Sequence, residues 1–176
     1  MKHKLQEIPV NPPTQMGIIL EPQKVIPFYQ REHVWDDVSR DSFVENILEA
    51  FEAGDSYFIG SMVFQNRDDG KAQVVDGQQR LTTIFILLAV LVKVVKARDL
   101  SAADEDFLSE HAIKNIRRTV KTADSGTRQM AMLQHADTSI NDAYRAISQS
   151  KVPNADDAPN MVVNLAEAYS EMYELL

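Results

Sequence analysis

The stretch Val74-Val75-Asp76-Gly77-Gln78-Gln79-Arg80-Leu81-Thr82-Thr83 decides how this chain folds. Two β-branched residues lead into an acid and a glycine; two amides and an arginine follow, and then a long apolar run begins. That order reads as the end of a buried strand, a tight turn and the first turn of a helix. Gly77 suits the turn, because glycine takes positive φ without strain and lets another group come close to the backbone. The first N–H groups of a helix have no partner within it and carry the positive end of its dipole, so a helix starting at Gln78 offers an anion site. Arg80 adds a planar, permanently charged fork that matches phosphate oxygens. Asp76 is suited to holding a metal ion or a water, and Gln78 and Gln79 both donate and accept hydrogen bonds. The plainer alternative is that Asp76 only caps the helix and Arg80 only pairs with it, as at many strand–turn–helix junctions.

The neighbouring segments fit this reading. Tyr57 to Gln65 predicts a strand, in which Gly60 marks a bulge or a close backbone approach, such as to a ligand. Asn66 to Lys71 is a polar hairpin turn, and Ala72 to Val75 returns as the antiparallel partner. Gln78 to about Arg98 predicts a helix that is apolar nearly all round, with Leu81, Ile84, Phe85, Leu87, Leu88, Leu91, Val92 and Val95. Such a helix is the buried centre of its domain and fixes the polar motif at its start. Its apolar run, Leu81 to Val95, reads as too short and too closely flanked by Arg80 and Lys93 to span a membrane.

Further out, Pro9, Pro12 and Pro13 forbid a regular helix in the leader, residues 1–16. Residues 16–25 read as a short strand, or two extended pieces broken at Pro22, near a sheet edge. The loop Ile26-Pro27-Phe28-Tyr29-Gln30-Arg31-Glu32-His33-Val34-Trp35 crowds aromatic, amide and cationic groups together. Either Phe28 and Trp35 plug the core while Gln30 and Arg31 cap neighbours, or Arg31 converges with Arg80 on an anion. Asp36 to Ala53 predicts a helix with Val38, Phe43, Val44, Ile47, Leu48 and Phe51 on one face and Gly54 as its stop.

The character changes after Leu100. Ser101 caps an acidic helix running to about His111. Residues 113–120 are ambiguous, with Arg117 and Arg118 on either a short strand or a helix surface. A loop over 121–127 leads to a helix over 128–150, with Met132, Leu133, Ile140, Tyr144 and Ile147 as apolar contacts. A linker over 151–159 precedes a last helix from Asn160, whose pattern runs to Leu176 without a stop signal. The expected organisation is therefore an α+β domain over 1–100, a small mixed sheet with packed helices, followed over 101–176 by a helical extension that looks truncated.

The composition narrows the function classes. Among 176 residues, 44% are hydrophobic, which is ordinary for a folded soluble chain. Cysteine is absent, which removes disulfides, thiolate catalysis and cysteine-based zinc sites and fits a cytoplasmic protein. His3, His33, His111 and His135 are scattered, without the spacing of a metal site. The formal net charge of −8 argues against a broad basic face for duplex nucleic acid, while leaving room for a local basic pocket. Neither GxGxxG nor GxxxxGK[ST] is present.

Three ordered blocks carry a resemblance. Ile26-Pro27-Phe28-Tyr29-Gln30-Arg31 with Val34-Trp35, then Phe58-Ile59-Gly60-Ser61, then Val75-Asp76-Gly77-Gln78-Gln79-Arg80-Leu81-Thr82-Thr83 resemble those of the N-terminal domain of GmrSD-type restriction proteins, within the ParB/sulfiredoxin-like superfamily. Order and separations match over roughly residues 15–100. One departure is His33, where the family pattern has a tyrosine: either it takes over the packing role, or it titrates near neutral pH and makes binding pH-sensitive. The resemblance implies a ParB/sulfiredoxin-like fold and a site that binds, and in related proteins hydrolyses, a nucleoside triphosphate. It implies phage defence by restriction of modified DNA, with the nuclease in a separate HNH-type domain or subunit. This chain has no HNH signature of its own.

These strands combine into one expectation. The chain is a nucleotide-binding regulatory domain that hydrolyses a nucleoside triphosphate with Mg²⁺. Tyr29, Gln30, Arg31, Gly77 and Arg80 bind the nucleotide and its phosphates, and Asp76, Gln78, Gln79 and Arg80 carry the chemistry. Asp76 holds the metal, or orients a water that Gln78 or Gln79 helps to position. The rival is a non-enzymatic sensor of nucleotide or modified DNA that docks a separate nuclease. A nuclease acting through Asp76 alone is the third and weakest reading.

Overall fold

A computed structural model describes residues 22–30, 37–124 and 126–176. The expected leader, the start of the first strand, and Arg31, His33 and Trp35 lie outside the described residues. The fold is mixed α+β, built on a small mixed sheet.

The strands β1 (Lys24–Ile26), β2 (Val63–Asn66), β3 (Ala72–Asp76) and β6 (Leu133–His135) form this sheet in the order β2-β3-β1-β6. β2 and β3 form the expected antiparallel hairpin, closed by a turn at Gly70 with φ 74°, but the strand expected over Tyr57 to Gln65 begins only at Val63, so Gly60 lies in the irregular chain before it. β1 runs parallel to both β3 and β6. It is therefore a central strand, not the edge strand that the sequence suggested. Its three residues are all buried, and parallel strands covered on both faces read as short apolar runs without alternation. The neighbour that makes β1 central, β6, comes from the segment read as helix 128–150.

That segment is the largest correction. Its first residues belong to β5 (Thr127–Ala131), which pairs with β4 (Arg117–Lys121), the strand alternative for the ambiguous 113–120, in a second, two-stranded antiparallel sheet. Only Thr138–Ser148 is helical, as α5, which Asp137 caps by accepting from the Ser139 N–H. Met132, Leu133, Ile140, Tyr144 and Ile147 are all buried, as expected, yet Leu133 enters the core from the strand β6 and Met132 from the bend before it. The part of the chain after residue 100 is thus not simply a helical extension.

The expected helices elsewhere are present. α1 spans Asp37–Ala53 and ends at Gly54 in the left-handed conformation. Of its expected apolar face, Phe43 and Val44 are buried, while Val38, Leu48 and Phe51 are exposed. α3 (Ala102–Leu108) starts with the expected Ser101 cap, in a capping box with Asp104, and runs through a π-helical turn into the short α4 (Lys114–Ile116). α6 spans Asn160–Leu175 and buries Met161, Leu165, Tyr169 and Met172.

α2 (Gln78–Lys96) is the centre. Leu81, Phe85, Ile86, Ala89 and Val90 are fully buried, and α2 packs against α4, α5 and α6. Its 19 residues are long and apolar enough to cross a membrane by length and composition, contrary to the reading of the run as too short, but 67% of that stretch is buried within the protein. One core runs from Ile26 to Met172 and crosses residue 100 without a break. The packing of α2 therefore fixes the position of its start.

Candidate functional site at the start of the central helix

Gly77 begins α2 with φ 88° and ψ 14°, the left-handed region that glycine takes without strain. A Cβ there would lie 2.7 Å from Met62 Cγ, so the position is closed to side chains both by conformation and by space. Among the described residues no side chain caps α2, and no acid lies in its first turn. Asp76 is thus not the cap that the plainer alternative required. The donors of this first turn point out along the axis with the positive end of the dipole behind them.

Arg80 belongs to this first turn. Its Nη1 donates to the Ile59 carbonyl at 3.2 Å, and its Nη2 stands 3.8 Å from Asp76 Oδ2. A Cβ on Gly60, where φ is 87°, would fall on Arg80 Nη1. Gly60 is therefore the close approach anticipated from the sequence, and what approaches is the guanidinium. The ladder irregularity lies further along, between Val63 and Phe64. The Asp76 side chain is 70% exposed and that of Arg80 27%. A loose pair of this kind is worth only about 0.3–0.5 kcal/mol, so it leaves both groups able to engage a ligand.

The first sequence block arrives from the other side. Gln30 Nε2 donates to the Val75 carbonyl at 2.8 Å. The Tyr29 hydroxyl accepts from Gln73 Nε2 at 2.7 Å. Both bonds tie the loop after β1 to the last turn of backbone before Asp76. Tyr29 and Phe28 remain largely exposed, with their rings edge to face 6.0 Å apart. Arg31, expected to converge on the same anion, lies outside the described residues.

The two glutamines part company. Gln78 is buried, and among the described residues neither its amide nitrogen nor its oxygen has a hydrogen-bond partner. An unpaired buried amide costs about 1–3 kcal/mol, so its retention calls for a reason beyond packing. Gln79 is half-buried beside it.

The structure thus brings together residues from all three sequence blocks: Tyr29 and Gln30, Ile59 and Gly60, and Asp76 to Arg80. Sequence reasoning missed Ile59, Met62 and Gln73. Ile59 acts through a backbone carbonyl and Met62 through bulk, neither of which the residue type reveals. Gln73 had a signal, as the polar member of an otherwise apolar stretch of β3.

Comparison with curated proteins finds no match. Comparison with protein families matches residues 16–173 to the GmrSD restriction endonuclease N-terminal domain. That span includes the three blocks, the sheet, the hairpin β4–β5 and nearly all of α6, and on it the chain belongs to the family of GmrSD restriction endonuclease N-terminal domains.

Proposed function

We propose that this restriction-system domain binds a nucleoside triphosphate at the start of α2 and hydrolyses it. The observation that carries the reading is the N-terminus of a buried helix without a side-chain cap, with Arg80 of its first turn held between the Ile59 carbonyl and Asp76. Three separate segments of chain contribute to one small surface there, which a structural junction alone does not require.

In this reading the first-turn donors and Arg80 bind phosphate oxygens. Tyr29 and Phe28 offer exposed aromatic faces for a base, and Gln30 holds their loop against Val75. Gln79 orients the attacking water. Gln78, buried with both amide atoms unpaired, anchors the floor of the site once nucleotide or water is present. Arg31 joins Arg80 in offsetting charge on the transferring group, where positioning and electrostatics supply most of the catalysis.

Mg²⁺ fits the donor set. Among the described residues no three His, Cys, Asp or Glu side chains gather, and Asp76 is one exposed carboxylate beside an anion site. Mg²⁺ is commonly held by one or two carboxylates together with substrate phosphates and water. Asp76 would hold it, and the ion would supply neutralisation of phosphate charge. The same reading assigns the fold to the ParB/sulfiredoxin-like superfamily and places the nuclease in a separate HNH-type domain or subunit acting on modified DNA.

The test is phosphate release from a panel of nucleoside triphosphates with Mg²⁺, with nucleotide binding measured in the same samples. Turnover by the parent, lost in both Asp76→Ala and Arg80→Ala, is the expected result. Unchanged binding and turnover in Arg80→Ala would remove the assignment. Binding without turnover in the parent would leave a nucleotide sensor.

A further inference from the structure

The apolar pattern of α2 is interrupted where the helix begins. Gln78 and Thr82 are 4% and 0% exposed, on a helix whose other buried residues are chiefly aliphatic. They stand four residues apart, so their side chains share one face, with Cβ atoms about 5–6 Å apart. A helical side chain leans toward the N-terminus, which brings the Thr82 hydroxyl under the Gln78 amide. A threonine inside a helix commonly bonds the carbonyl four residues back. Thr82 does not: its Oγ1, like both amide atoms of Gln78, is buried and unpaired among the described residues.

The third member comes from α5. Tyr144 is completely buried, and its ring lies 6.0 Å from that of Phe85, three residues after Thr82. Its hydroxyl is also without a formed hydrogen bond among the described residues. Burial raises its pKa far above the ordinary phenol value, and the adjoining Thr82 side chain partly offsets the rise. Unpaired polar atoms thus follow one another from α5 to the start of α2. Each destabilises the folded state, whereas valine and phenylalanine would fill the same space without that loss. Packing accordingly does not account for them.

We propose that Tyr144 is a positioning residue for the site at the start of α2, acting through Thr82 and Gln78. The chemistry of the groups sets the direction. Small rotations within the cluster let the Tyr144 hydroxyl donate to Thr82 Oγ1, and the Thr82 hydroxyl donate to Gln78 Oε1. With its oxygen engaged inward, the Gln78 amide is held one way round. Its Nε2 hydrogens are then left for an oxygen of ligand or water at the helix start. Hydrogen bonds in a buried chain polarise one another, so loss of the Tyr144 hydroxyl is felt at the amide. The inference rests on the reading of the start of α2 as a nucleotide site, and it gives that site a component from beyond residue 100, outside the three sequence blocks.

The test uses the full chain. Tyr144→Phe and Thr82→Val each remove one hydroxyl and little else. Tyr169→Phe is the control: its hydroxyl is likewise buried and unpaired among the described residues, but its ring lies 5.6 Å from the Lys93 ammonium in the last turn of α2. Thr82→Ser keeps the hydroxyl. Each variant is followed by urea melt, by phosphate release, and by the Gln78 side-chain amide signals in a nitrogen–proton correlation spectrum, identified by their loss in Gln78→Met. Tyr144→Phe and Thr82→Val are expected to melt at or above the parent's urea midpoint and to shift the Gln78 amide signals. They should lose about tenfold in kcat, with KM within about twofold of the parent. Tyr169→Phe leaves kcat and the amide signals as in the parent, and Thr82→Ser restores both. Unmoved amide signals in Tyr144→Phe and Thr82→Val, shifted signals with unchanged kcat, or an equal effect of Tyr169→Phe would overturn the proposal. A parent without nucleotide turnover overturns the nucleotide reading instead, and the amide signals then decide the link from Tyr144 to Gln78 alone.

Discussion

Two glycines with nearly the same backbone separate strain from function at the scale of single residues. Gly60 and Gly70 have φ of 87° and 74°. A side chain at either costs about 1–2 kcal/mol for the left-handed conformation. At Gly70 nothing lies within 4 Å of an added Cβ, whereas at Gly60 the Cβ would displace the Arg80 guanidinium. If the start of α2 hydrolyses nucleotide as proposed, Gly70→Ala is therefore expected to lose that stability and keep the parent's turnover. Gly60→Ala should lose comparable stability and, in addition, at least about tenfold in turnover, because an arginine moved by even an ångström no longer meets the transferring phosphate. Urea melts and phosphate release on both variants check this. Equal activities would mean that the position of Arg80 is immaterial. The sequence already exposed most of this site, since Gly60, Gly77 and the acid–amide–arginine run stand out by residue type. Hidden from it were the Ile59 carbonyl that holds Arg80 and the burial of Gln78, because both depend on where two distant segments meet.

A whole element is where sequence reading failed, and the cause can be traced. Between residues 128 and 150 the apolar residues recur at spacings a helix accepts, and Ser, Asn and Asp are spread among them. Nothing marks Ala136-Asp137 as a boundary except Asp137, which is as ordinary on a helix surface as at a cap. The strands β5 and β6 are short, and short buried strands cannot be told from helix by periodicity. What fixes them is tertiary: Met132 N–H donates to the Ile116 carbonyl at 3.0 Å, and Gln23 Nε2 to the Ala131 carbonyl at 2.6 Å. The junction that results contains a titrating group. His135 at the end of β6 is buried; its Nδ1 accepts from the Asp137 N–H at 2.9 Å, and its backbone N–H donates to Asn141 Oδ1 at 2.8 Å. Burial holds its pKa below the ordinary value, partly offset by the Asp137 carboxylate. The unfolded chain, with its ordinary value of about 6.5, then binds more protons than the folded one. The histidine's contribution is fully present above that value and is lost as the pH falls below it toward the lower folded pKa. The parent's melting temperature should therefore drop between about pH 7.5 and pH 5.5, and His135→Asn, whose Oδ1 can accept the same bond without titrating, should drop less. Parallel pH profiles would show that this histidine does not set the acid limit.

At the scale of the whole molecule, the issue is whether the first hundred residues form a unit. The change of composition after Leu100 suggests a boundary, and the sequence blocks all lie before it. The core argues otherwise. Ile116, Leu133, Tyr144, Ile147, Leu165 and Tyr169, all from the second part, are fully buried in the same cluster as Leu81, Phe85 and Ile86 of α2. Removing them would expose the faces of α2 that α5 and α6 cover and would leave β1 without β6 on one side. Each large apolar side chain uncovered costs about 1.5–3 kcal/mol, against a total stability of about 5–15 kcal/mol for an ordinary domain. A fragment of residues 1–100 is accordingly expected to lack a cooperative thermal transition by circular dichroism, to bind hydrophobic dye and to bind no nucleotide, although it contains every residue of the three blocks. A sharp transition in that fragment would instead make residue 100 a true boundary and the second part a separately docked layer. The distinction bears on function, because in a single core a ligand bound at the start of α2 stabilises the whole folded unit and not the first hundred residues alone.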